Sequence, residues 1–197
     1  MSSSSLATAR TYYGEAKKTI QTLSDLAKET NDKFKFEIAM RQYDYIIQAS
    51  LIHASIENGK IDDAELDFIK EITLYGDVIS LFNLKIKNEI KDLPDLSWPN
   101  LRPILTTLSL NGKAKFFKKF DTIVGNIADD FVKWFAPIDA KDTATDYLKK
   151  LDSALEKIID LFAKCDGDES EEAIASEKAA AKKTKKSLLI DKWKRLC

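Results

Sequence analysis

Apolar residues recur at three- and four-residue steps along most of this chain, the spacing of a helix face rather than of a strand. Leu6, Ala9, Tyr13, Ala16, Ile20, Leu23 and Ala27 make one such stripe. Phe116, Phe120, Ile123, Ile127, Phe131, Trp134 and Phe135 make a second, and Leu148, Leu151, Leu155, Ile158, Ile159 and Phe162 a third. Residues that favour strands are scarce, with three valines in 197 residues, while Ala, Leu, Lys, Glu and Asp dominate. The chain is therefore expected to be all-α. Its organisation reads as an N-terminal amphipathic helix over 1–32, a compact multi-helix domain over 33–176, and a basic amphipathic tail helix over 177–197.

Punctuation residues refine this outline. The narrow stripe of the first helix suits either packing on its own domain or contact with another copy. A helix over about 36–57 is apolar on nearly every side, with Ile38, Ile52 and Ile56 opposite Met40, Tyr43 and Ile47, so it is expected to be central and buried. Gly59 follows its end, and Asp62 with Glu65 three residues on has capping-box spacing for a helix carrying Leu66, Ile69, Ile72, Tyr75, Val78, Ile79 and Phe82. The segment KDLPDLSWPNLRP, holding three of the four prolines, must be non-helical. A short helix from Ile104 to Leu110 is expected to end at Asn111-Gly112, and a longer one over about 114–136 to end at Pro137. In that longer helix Asp121, Asn126, Asp129, Asp130 and Lys133 form the polar face. Another helix is expected over about 142–165.

Charge and cysteine usage exclude several classes. The net charge is −1, so bulk charge does not point to nucleic acid. No apolar run approaches the roughly 20 residues of a membrane span. The start, MSSSSLATAR, does not read as a secretory signal, and Cys165 and Cys197 do not suggest a disulfide framework. A cytoplasmic address is expected.

The junction IENGKIDDAELDFI, from Ile56 to Ile69, joins a helix end, a glycine turn and a helix start. Laid on an EF-hand loop, its first and third positions would be Ala54 and Ile56. Neither offers a side-chain oxygen, whereas Ca²⁺ takes six to eight oxygen ligands. An echo, KCDGDESEEAI, returns from Lys164 to Ile174. A buried helix, then [DN]-G-x-x-[DS]-x-x-E, then an apolar helix, repeated near the domain end, resembles the tellurite-resistance TerB family over roughly Phe36 to Ala175. The first copy matches at Gly59, Ile61 and Glu65, with Asn58 in place of Asp; the second matches at Asp166, Gly167 and Ser170, with its acid at Glu172, one place early. The resemblance implies an all-helical domain with divalent-cation sites at the junctions. Glu65 and Asp166 would be the principal ligands, supported by Asp62, Asp168 or Glu172. Such carboxylates suit Ca²⁺, Mg²⁺ or Mn²⁺.

Other chemistry is sparsely represented. His53, the only histidine, lies on the buried-looking helix and reads as a satisfied core or boundary residue; two-His metal sites are excluded. The glycines form neither a dinucleotide fingerprint nor a phosphate loop, so no organic cofactor is expected. Residues 166–177 carry six acids and no base, whereas residues 178–197 carry eight Lys/Arg against one Asp. Lys182, Lys183, Lys185, Lys186 and Trp193 are thus candidates for binding a protein partner or an anionic membrane surface. Alternatively the tail's apolar residues pack on the domain, neutralised by the acids upstream. Together these features lead to a non-enzymatic helical protein serving as an interaction module, with the resemblance implying a stress or defence role. The alternative is a cation-independent adaptor recruiting a partner or membrane through its terminal helices.

Overall fold

The computed structural model describes residues 3–30, 36–57, 63–72, 110–136, 141–164 and 170–196. The described residues are almost wholly helical and contain no strand. Seven helices are described: α1 (Ser3–Thr30), α2 (Phe36–Glu57), α3 (Asp63–Ile72), α4 (Leu110–Lys133), α5 (Lys141–Ala163), α6 (Glu171–Leu188) and α7 (Ile190–Leu196).

The narrow stripe of α1 is a docking face within the chain. Ala9, Tyr13, Ala16, Ile20 and Leu23 are buried, and α1 lies mainly along α5. Lys157 on α5 sets its ammonium 5.0 Å from the Tyr12 ring centroid, and the Tyr13 hydroxyl donates to the buried Asp44 carboxylate of α2 at 2.7 Å. That bond satisfies a charge whose burial would otherwise be costly.

Helix α2 runs through the middle, packed against α6 and α4 and touching α1, α3 and α5. Its all-round apolar pattern is what such a position demands. Met40, Tyr43, Ile46, Ile47, Leu51 and Ile52 are buried, and Ile56 is partly buried against the same core. Ile38 departs from the pattern at 48% exposed: it shares a side of the helix with Arg41, three residues on, which is also exposed, while Ala39 and Met40 beside it are buried.

The Tyr43 hydroxyl donates to the Leu151 carbonyl of α5 at 2.8 Å. Burial, reinforced by the charges of Asp152 and Asp44, pushes its pKa far above the usual tyrosine range. The unfolded chain releases that proton near pH 10.0 while the folded chain holds it, so stability is full below that pH and falls as pH rises beyond it. Tyr43→Phe should lose about 0.5–1.5 kcal/mol at pH 7 with the hydrogen bond, yet show a shallower loss above pH 10.0 in alkaline urea titrations. An unchanged alkaline slope would assign that loss to other groups.

Helix α4 corrects one expectation. It begins at Leu110 and continues through Asn111-Gly112, where a helix end was expected. Glycine and asparagine cost a helix interior about 1 kcal/mol or less each, and the long apolar face that follows outweighs this. Its last turn tightens into i→i−3 bonds at Trp134, Phe135 and Ala136, ahead of Pro137. The proline-rich segment, the expected helix from Ile104, and Tyr75, Val78, Ile79 and Phe82 lie outside the described residues.

The tail begins earlier than the basic composition suggests. Helix α6 starts at Glu171, with Ser170 as its N-cap: the Ser170 hydroxyl accepts from the Ala173 N–H at 3.2 Å. The acidic block therefore supplies its first turns and the lysines its last, which complements the helix dipole at both ends. Leu189 interrupts the helix, but its N–H still donates to Lys185 O at 3.0 Å and its carbonyl accepts from Trp193 N–H at 3.0 Å. Helices α6 and α7 thus form one kinked rod. It lies across α2 and α5, and α7 reaches α4.

Ala181, Leu188, Leu189 and Trp193 are buried. An aromatic chain carries the core to them: Tyr43 to Phe131 at 5.7 Å, Phe131 to Phe135 at 5.2 Å and Phe135 to Trp193 at 6.3 Å. A single hydrophobic cluster therefore spans all three segments of the expected organisation, from Ala9 to Trp193.

Candidate functional site

Of the residues implied as cation ligands, Asp62, Asp166 and Asp168 lie outside the described residues. Glu65 is the third residue of α3, the position a capping-box acid occupies, and is 4% exposed. A carboxylate so buried is stable only with a compensating charge or hydrogen bonds. Glu172 is exposed in the first turn of α6. Among the described residues no three His, Cys, Asp or Glu side chains come together as a metal-binding group.

The tail residues divide into two groups. Acids at Asp152, Glu156 and Asp160 recur every four residues on α5 and meet lysines at 178, 182 and 185 on α6. Lys185 binds Asp152 at 2.8 Å, Lys182 approaches Asp160 at 3.3 Å and Glu156 at 3.5 Å, and Lys178 lies 3.7 Å from Asp160. Partial burial acts to lower the Lys182 pKa, but hydrogen bonds and the charges of Asp160 and Glu156 outweigh it, and the net direction is upward. Lys185 is buried, at 7% side-chain exposure, and Trp193 donates its indole N–H to Thr145 at 2.9 Å. In this fold Lys182, Lys185 and Trp193 therefore dock the tail on its own domain instead of forming an outward surface. The physical reason is the acidic face of α5, which matches their spacing. Lys183 and Lys186 remain exposed on the other side of α6.

That other side borders a cleft of about 780 Å³ between α2, α4 and the kinked tail. Small residues open it: Ala49 on α2, Gly125 on α4, and Ser176, Ala179 and Ala180 on α6. Val124 and Leu188 add apolar wall, whereas Lys183, Lys192 and Arg195 add cations. Lys192 is fixed by Asp129 at 2.8 Å.

Across from them His53 meets Asp121 at 2.7 Å, and Glu57 also lines the cavity. Facing a carboxylate acceptor, His53 carries its proton on Nε2 and donates it. The ring is 21% exposed and lies 5.7 Å from Phe117 and 6.0 Å from Phe120. It thus occupies the boundary position expected of a satisfied histidine.

The cleft was not legible in sequence. The four-residue spacing of Asp152, Glu156 and Asp160 could have exposed the ladder, but nothing in the local pattern pairs His53 with Asp121, or Lys192 with Asp129. No family model, curated protein or solved structure matches the chain.

Proposed function

We propose that this protein is a non-enzymatic, TerB-like helical interaction module that holds a divalent cation at its glycine junctions and serves a stress or defence response. The observation that carries this reading is Glu65, a carboxylate 4% exposed, at the helix start directly behind the first acidic junction. Carboxylate oxygens suit Ca²⁺, Mg²⁺ or Mn²⁺. Asp166 joins the site on the strength of the repeated motif. With the tail's inner face occupied by α5, contact with a protein partner falls to outward residues of α6 such as Lys186.

A cation bound only by the native state stabilises it by about 2.7 kcal/mol at a hundredfold excess over Kd. The melting temperature should therefore rise with added Ca²⁺ or Mn²⁺, and Glu65→Gln combined with Asp166→Asn should abolish the rise. Melting curves that do not move with either cation would remove the cation from the account and leave Glu65 as a capping residue.

A further inference from the structure

We infer that the cleft between α2, α4 and the C-terminal rod binds a small organic phosphate monoester, its phosphate on Lys183, Lys192 and Arg195. The cavity of about 780 Å³ has the size of a small-molecule site. It exists because small side chains meet on all three helices. A Cβ added at Gly125 would meet only the Lys192 ammonium, at 3.9 Å, so the α4 backbone lies open towards that charge.

The tail wall favours an anion. Lys183, Lys192 and Arg195 all lie on the two tail helices, whereas the acids of the cavity, Glu57 and Asp121, come from α2 and α4. Lys192 is held in place by Asp129, its side chain only 12% exposed, so it presents a positioned ammonium. Lys183 and Arg195 have no carboxylate partner among the described residues, which leaves their charge for a ligand. The hydroxyls of Ser176 and Ser187 can donate to phosphate oxygens, while Ala179 and Ala180 offer apolar surface to the ester group. A dianionic head with a compact apolar body satisfies both walls. The ligands of the two proposed sites share no residue, so either can fail without the other.

The probes are inorganic phosphate and phenyl phosphate, titrated into the full-length protein at low salt with backbone amide NMR as the readout. Phenyl phosphate should shift amides of Gly125, Ala180 and Lys183 and bind more tightly than inorganic phosphate. Lys183→Glu with Arg195→Glu should weaken it by at least about tenfold. Lys186→Glu with Lys194→Glu changes net charge equally but outside the cavity, and should leave binding unchanged. Ala179→Trp, an exposed position on the rim, should block the phenyl ester while the fold stays intact. Absence of shifts at millimolar probe, shifts located elsewhere, or equal weakening by both charge-reversal pairs would overturn the proposal.

Discussion

Removing residues 182–197 is expected to abolish cooperative folding. The deletion takes away Leu188, Leu189 and Trp193, each buried in the common core, and burying a large apolar side chain contributes about 1.5–3 kcal/mol. It also strips Lys185 from Asp152, whose side chain is only 20% exposed. Breaking a buried ion pair from one side costs about 3–5 kcal/mol, because the remaining charge stays desolvated. Phe135 loses the indole at its ring edge, and Thr145 loses its indole donor. The sum is comparable with the roughly 5–15 kcal/mol that separates a folded domain from its unfolded chain. Urea titration followed by circular dichroism should therefore give a broad transition or none. A sharp transition near that of the full-length protein would mean that the core closes without the tail.

The second large effect is expected at Phe131. This ring is fully buried on α4, with Tyr43 5.7 Å away on one side and Phe135 5.2 Å away on the other. Phe131→Ala should cost about 3–5 kcal/mol, since it opens a cavity in the link between the central helix and the tail. Ile47→Ala, on α2, should cost about 2–5 kcal/mol for the same reason. Ile38→Ala, at a position 48% exposed on the same helix, should stay within about 0.5 kcal/mol. Comparable losses at Ile38 and Ile47 in urea titrations would contradict the placement of α2.

What was legible in the sequence follows from how locally each feature is determined. The stripe of α1, the all-round apolar character of α2 and the start of α3 behind Asp62 depend on neighbours three or four residues apart, and those patterns survive in the fold. Asn111-Gly112 misled because a modest local penalty was weighed without the packing of the long helix that overrides it. The start of α6 was placed late because a shift in charge from acidic to basic resembles a boundary. In the structure the acids and lysines are opposite ends of one dipole-matched helix. The lysines' role depends on α5, and the cleft depends on small residues from three helices, so neither is set by local spacing. His53 on its own pointed only to a satisfied histidine; the identity of its partner, Asp121, is purely tertiary.

The C-terminal rod belongs to the core and forms one wall of the cleft. Native-state hydrogen exchange of the full-length protein tests this placement most directly, because amides that open only with the whole domain report its global stability, whereas peripheral ones open locally. The amides of Ala181, Lys185 and Leu189 should exchange with the same opening free energy, and the same dependence on denaturant, as those of Ile47 in α2 and Leu155 in α5. Rapid, denaturant-independent exchange along α6 and α7, with α2 and α5 still protected, would contradict the account.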